Sequence, residues 1–238
     1  VTLGVLDWGI GGLFCLQAAI EREPSLNAVY LSDSGNVPYG RQDRGALATS
    51  VARALDHLAE LGATHILVAC HSASTALPDV TPPVPTSGVI RAGAVPWTDG
   101  RVAVFGGRRT IRSGRWRRAL EDRGFTNVVG RVAQPLSAHV EAGRLDHPDT
   151  HRDLDRILAP VRDADVAVLA CTHYAALAPL FRDRLPRAQV MDPALAAVEA
   201  LPLRPGRGDV RLVTTGDPVA SARSAALATR REWRFEPK

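Results

Sequence analysis

Short runs of Val, Leu, Ile and Ala that read as strands alternate along the chain with longer stretches whose apolar residues recur every three or four positions. Thr2–Leu6 is the first such run and closes on Asp7; Gly9, Gly11 and Gly12 make a tight turn, and Leu13–Glu23 continues as a helix. Val29–Asp33 is the second strand, followed by a turn-rich loop from Ser34 to Gly40. Leu47, Val51, Leu55 and Leu58 mark an amphipathic helix over Gly45–Leu61, ended by Gly62. A third run, Ile66-Leu67-Val68, leads to Ala69-Cys70. Strand, helix, strand at this rhythm means βαβ units and a parallel sheet, with function expected at the carboxyl ends of the strands.

A Pro-rich crossing over 77–100 (Pro78, Pro82, Pro83, Pro85, Pro96) holds a short strand, Thr86–Ile90, and then the rhythm restarts. Arg101–Phe105 reads as a strand, Gly106-Gly107 as a turn, and the following residues as one helix through Leu120. Val128–Val132 is a strand, Pro135–Gly143 a short helix or loop, His151–Val161 a helix, and Val166–Ala170 the strand that delivers Cys171. Ala188–Met191 is a further strand, stopped by Asp192-Pro193. Beyond a linker at Arg204–Gly208, Val210–Thr214 is strand-like and Ala220–Arg230 helical, a unit expected to pack back on the first half. The expected fold is α/β, with two pseudo-symmetric lobes, each a mainly parallel sheet flanked by helices, and an active site in the cleft between them. Residues 1–94 plus 207–238 would form the first lobe and 95–206 the second.

The 238 residues, 45% apolar, suffice for two such cores. With five per cent aromatic residues, those cores must rest on Ala, Leu and Val. The formal charge is +4, yet Lys238 is the one lysine, so arginine carries the basic balance. No lysine-rich tail or basic–aromatic pattern points to nucleic acid. No apolar span approaches the roughly 20 residues of a membrane helix. Three cysteines in a chain of this length are not a disulfide framework. The chain opens on a strand pattern with no signal-peptide signature, so a reducing cytoplasm is the expected compartment.

The chemistry gathers at Cys70 and Cys171. Each stands where a buried strand hands over to a loop or helix start, a place where free backbone N–H groups and the helix dipole favour a thiolate. His71 adjoins the first and His173 lies two residues beyond the second. Two thiols on opposite flanks of a small molecule suit proton transfer at carbon: a thiolate removes a proton and the opposite thiol delivers one, with no metal or organic cofactor. Asp7 is placed to hold a substrate ammonium or relay a proton, and the hydroxyls of Ser72, Thr110 and Thr172 to bind a carboxylate. A lone buried cysteine is usually a core residue, and Cys15 is read that way; two in matched contexts are not. Zinc at Cys70, His71, Cys171 and His173 lacks the usual ligand spacing. The run Arg108, Arg109, Arg112, Arg115, Arg117 and Arg118 is read as a solvated helix face, with an acidic ligand as the lesser reading.

These residues fall into ordered motifs: Gly4-Val5-Leu6-Asp7 with Gly9-Ile10-Gly11-Gly12-Leu13, then Val37-Pro38-Tyr39-Gly40, the Cys70 segment, Gly88-Val89-Ile90 with Gly93-Ala94, and Thr110-Ile111-Arg112-Ser113-Gly114. Gln134-Pro135-Leu136 leading to Val140-Glu141, Cys171-Thr172-His173-Tyr174, Asp192-Pro193 and Thr214-Thr215-Gly216-Asp217-Pro218 follow. In that order they resemble the aspartate/glutamate racemase superfamily, glutamate racemase above all. The resemblance implies two α/β lobes, a small amino-acid or carboxylate substrate, no cofactor, and often a homodimer. It implies Cys70 and Cys171 as the acid/base thiols, assisted by Asp7, Glu141 and His173. Pro38, Tyr39, Gly40, Ser72, Thr110 and Thr172 then fall at substrate contacts.

Three positions depart from the pattern. Trp8 stands for the family's Ser, His71 for its Asn, and Gly107 for the first Thr of a Gly-Thr-x-x-Thr stretch. A lost hydrogen bond to a carboxylate is worth roughly 1.5–3 kcal/mol, so uncompensated losses would lower glutamate turnover by powers of ten. The expectation is intact proton-transfer machinery in a rebuilt pocket, Trp8 supplying an apolar wall or a stacking surface and His71 a second donor or a base beside Cys70. The rival expectations are a racemase or isomerase for another substrate, a one-cysteine lyase or isomerase, and an inactive binding homologue.

Overall fold

A computed structural model describes residues 1–94 and 100–238 of the protein; Pro96 and the expected start of the second lobe at 95 lie outside the described residues. The strands are β1 (Thr2–Asp7), β2 (Asn27–Ser32), β3 (His65–Val68), β4 (Thr86–Gly88), β5 (Val102–Gly106), β6 (Val128–Val132), β7 (Val166–Ala170), β8 (Gln189–Met191), β9 (Val210–Thr214) and β10 (Glu236–Pro237). They form two sheets, ordered β10-β9-β2-β1-β3-β4 and β6-β5-β7-β8, with every pairing parallel. Strands covered on both faces read as unbroken apolar runs; β5 and β7 are buried throughout, as is β1 from Leu3 onward.

The first four strands of each lobe repeat one order, 2-1-3-4. A sheet of this kind opens a crevice where consecutive strands depart in opposite directions. That point lies between β1 and β3 in one lobe and between β5 and β7 in the other. Asp7 ends β1 and Cys70 follows β3; Gly107 follows β5 and Cys171 follows β7. The repeated topology thus brings one cysteine to the crevice of each sheet.

Helices cover the sheets. In helix Arg44–Glu60, Asp43 caps the start by accepting from the Ala46 N–H, and Leu47, Val51, Leu55 and Leu58 are fully buried. Gly62, at φ +92°, turns the chain out of that helix in the left-handed region open to glycine. The C-terminal segment returns to the first lobe, where β9 pairs with β2.

Three local expectations change. The strand beginning at Thr86 stops at Gly88, because Val89–Gly93 turns into a short helix packed on Pro193–Glu199. The helix expected through Leu120 is two, Arg108–Arg112 and Arg115–Glu121. Gly114 at φ +67° breaks it, and Ser113 Oγ turns back to donate to the Thr110 carbonyl. Asp192-Pro193 ends a strand but also starts helix Pro193–Glu199, with Asp192 as its cap. None of the described helices is long and apolar enough to cross a membrane.

Candidate active site

A cavity of about 880 Å³ opens between the two sheets' carboxyl ends. Its walls include Asp7, Trp8, Pro38, Tyr39, Gly40, Cys70, His71 and Ser72 from the first lobe. Thr110, Glu141, Cys171, Thr172 and His173 line it from the second. Every residue singled out in the sequence as a site candidate therefore borders one space.

The first-lobe side is built on the turn after β1. Asp7 is buried, and its Oδ2 accepts from the Gly12 N–H at 2.9 Å and from Thr172 Oγ1, across the cleft, at 3.5 Å. A Cβ on Gly11 would lie 2.4 Å from Thr172 Oγ1, so only glycine lets the first-lobe turn come this close to the second lobe. Burial and the Asp7 carboxylate push the Cys70 thiol well above the ordinary cysteine range, against an opposite pull from the backbone N–H groups of Ala73 and Trp8. The thiolate expected from the helix start is corrected here. Helix His71–Ser74 is a single turn, and its partial charge is outweighed by burial and a neighbouring anion.

His71 is likewise not the base beside Cys70. Its ring is buried and stacks on Trp116, and its Nδ1 accepts from the Trp116 indole N–H at 3.3 Å. Burial lowers it to about 3, so it stays neutral near neutral pH. Its Nε2 is buried with no hydrogen-bond partner among the described residues. An imidazole accepting at Nδ1 carries its proton on Nε2, so that atom is an unmatched donor on a residue that borders the cavity.

The second-lobe side has the imidazole the first side lacks. His173 Nδ1 lies 3.8 Å from Cys171 Sγ, and its Nε2 is 2.9 Å from Glu141 Oε1. Burial alone would lower His173, yet its hydrogen bonds to Cys171 and Glu141 hold it well above the usual imidazole range. Burial would raise Glu141; the His173 hydrogen bond instead holds it below the usual carboxylate range. The ring therefore keeps both protons to higher pH than a free histidine and aims one N–H at the sulfur.

Trp8 lines the cavity with its indole N–H donating to the Asn36 carbonyl at 3.0 Å. Gly107 leaves room that Gln134 enters: Gln134 Oε1 accepts from the Arg108 N–H at 3.1 Å, and a Cβ on Gly107 would meet it at 3.2 Å. Ser72 and Thr110 join hydroxyls across the cleft at 3.2 Å. Arg41, Gln134 and Ser137 also border the cavity and were not singled out as site candidates. Arg41 follows directly on Tyr39-Gly40, which is the sequence signal available for it. Asp33 acts behind the wall: it accepts from Tyr39 Oη (2.7 Å), Asn36 Nδ2 (2.7 Å) and Thr215 Oγ1 (3.1 Å), tying the loop that carries Tyr39 to the C-terminal segment.

Residues 15–201 match the Asp/Glu/hydantoin racemase family. The chain belongs to that family. It is 34% identical to a glutamate racemase of Pseudomonas aeruginosa over 209 residues, 83% of this chain and 78% of that protein. The fold of a glutamate racemase from Bacillus anthracis matches with a TM-score of 0.91, over 100% of this chain and 97% of that one, at 24% identity. One from Thermus thermophilus, solved with beta-chloro-D-alanine, matches at 0.89 and 26% identity, covering 100% and 96%. This member of the racemase family is accordingly an isomerase, with two parallel-sheet lobes flanked by helices.

Proposed function

We propose that the protein racemises a small amino acid by 1,1-proton transfer at the α-carbon, with Cys70 and Cys171 as opposed acid and base and no cofactor. One sulfur, as thiolate, takes the α-proton; the electron pair left on carbon takes a proton from the other sulfur's S–H on the opposite flank, and the configuration inverts. The observation that carries this reading is that both cysteines, each delivered by the third strand of its lobe, border one cavity. His173, whose hydrogen bonds to Cys171 and Glu141 hold its proton, sets an N–H against the Cys171 sulfur, and Cys171 is the base of the pair. Cys70, with its thiol pushed up, supplies the proton. Asp7 holds the substrate ammonium; Ser72, Thr110, Thr172 and the unmatched His71 Nε2 receive the carboxylate. Pro38, Tyr39 and Gly40 shape the wall.

Glutamate is the first substrate to test, because the curated relatives are glutamate racemases. A different amino acid is the second reading, favoured by Trp8 in the cavity wall and by Gln134 beside Gly107. The same reading places the enzyme in a reducing cytoplasm, where its thiols stay free, as a homodimer that sedimentation would test. The functional experiment is wash-out of the α-proton signal in heavy water across a panel of L- and D-amino acids. Exchange with inversion on one amino acid, the inversion lost in Cys70→Ala and in Cys171→Ala, is expected; exchange on none overturns the racemase reading in favour of a binding protein.

A further inference from the structure

Next to the catalytic cleft, and sharing Gly40 and Arg108 with it, lies a second cavity of about 380 Å³. Arg44 and Asp79 border it from the first lobe, and Arg108, Arg109, Arg112, Arg115 and Arg118 from the second. The break at Gly114 makes this possible, since it lets Arg115 and Arg118, on the second short helix, reach the same space as the three arginines of the first.

Six guanidinium groups face one carboxylate, and Arg44 already engages it, its Nε donating to Asp79 Oδ2 at 2.8 Å. Arg118 donates to its own loop, at the Ser113 carbonyl. Arg109 reaches across to the first lobe, donating to the Gln42 carbonyl at 2.9 Å, while its Nε is buried with no hydrogen-bond partner among the described residues. Arg108, Arg112 and Arg115 make no side-chain hydrogen bond or ion pair with a described residue. A solvated helix face accounts for Arg117, which faces Glu121 at 4.0 Å and does not border the cavity. It does not account for like charges gathered round a concavity, where they repel and where an unmatched buried donor is costly.

We propose that this cavity binds a small polyphosphate anion, held between the lobes. Planar guanidinium forks match phosphate oxygens two at a time, and several of them round one space select a multiply charged ligand over a single carboxylate. The concave shape distinguishes the site from the open basic stripe that a nucleic-acid backbone needs.

The test is calorimetric titration of the full chain with inorganic tripolyphosphate, which reads binding and does not depend on turnover of any amino acid. Saturable one-to-one binding is expected, weaker at high salt. Arg112→Ala/Arg115→Ala should weaken it by at least about tenfold, the loss of charge-assisted hydrogen bonds, whereas Arg117→Ala should leave it unchanged. Asp79→Asn, which removes the one carboxylate, should tighten it, and this holds even if the double variant folds poorly. Heat that never saturates, an affinity that Asp79→Asn leaves unchanged, or binding of duplex DNA in place of tripolyphosphate would each overturn the proposal.

Discussion

The two halves of the cleft use one strand order to present one kind of atom, and then surround it differently. On the first-lobe side Cys70 is half-buried and feels the Asp7 carboxylate, and its sequence neighbour His71 is committed to Trp116 as a neutral ring. On the second-lobe side Cys171 faces His173, a ring held cationic by Glu141. Topology thus fixes where the sulfurs go, and the groups around each sulfur differ. The difference teaches that the cleft is loaded unequally before any substrate enters, with the proton on Cys70 and the positive charge beside Cys171.

The sharpest way to break this comparison is to delete one sulfur at a time. Cys70→Ala and Cys171→Ala should each lower racemisation by about 10²–10⁴-fold, the usual worth of a positioned acid or base. They should differ in what survives. With one thiol left, the enantiomer whose α-proton faces that thiol should still exchange with heavy water without inverting, and the other should not. NMR on each enantiomer separately reads this, and equal residual exchange of both enantiomers in either variant would contradict opposed roles.

Gly11→Ala attacks the contact that holds the halves together. The new methyl would sit 2.4 Å from Thr172 Oγ1 and 2.9 Å from the His173 N–H, so one lobe must shift. Overpacking of this kind costs about 1–3 kcal/mol. If that cost falls on closing the cleft, kcat/KM should drop by about tenfold to a hundredfold, with a smaller change in melting temperature. An unchanged kcat/KM would mean that the close approach at Gly11 is not needed for turnover.

How far the sequence carries the structure follows from where each signal resides. Parallel strands buried on both faces announce themselves as apolar runs, so Val166–Ala170 and the others were legible, as was the Leu47–Leu58 helix face. The break at Gly114 was harder, because arginine-rich stretches on either side are good helix formers and only the left-handed turn divides them. The environment of His71 depends on Trp116, 45 residues away. The loop anchor at Asp33 depends on Thr215, 182 residues away. Neither pairing has a local pattern. The thiolate expected at Cys70 failed for a related reason: a helix start can be read locally, but the burial and the Asp7 carboxylate that outweigh it belong to the folded cleft.

Trp8 sharpens the comparison from the substrate's side, since it lines the first-lobe wall of the cavity. Trp8→Ser should release the bond to the Asn36 carbonyl and open that wall. One apolar contact in a pocket is worth about 1–3 kcal/mol in selectivity. The ratio of kcat/KM for glutamate to that for a bulkier amino acid should therefore move by about tenfold or more. A ratio unchanged by Trp8→Ser would remove Trp8 as a determinant of substrate choice.

The smallest effect concerns stability, and it has opposite signs on the two sides. His173 is raised, so its contribution is complete below the ordinary imidazole value of about 6.5 and is lost as pH rises through its raised value in the fold. Glu141 is lowered, so its contribution is complete above about 4.3 and is lost as pH falls through its lowered value. The pair therefore supports the fold most between about pH 4.3 and 6.5. Because the Glu141 side chain is 38% exposed, solvent screening limits this to about 1 kcal/mol. Glu141→Gln should lower the melting temperature by about 2–4 °C in that window, with the deficit shrinking at higher pH. His71, lowered to about 3, works the other way: protonating it is unfavourable in the fold, so it withdraws stability as pH falls from about 6.5 toward 3. His71→Gln should accordingly flatten the acid side of the wild-type melting curve, and Glu141→Gln the side above neutrality. If both variants changed melting by the same amount at every pH, the charge asymmetry between the two half-sites would be refuted.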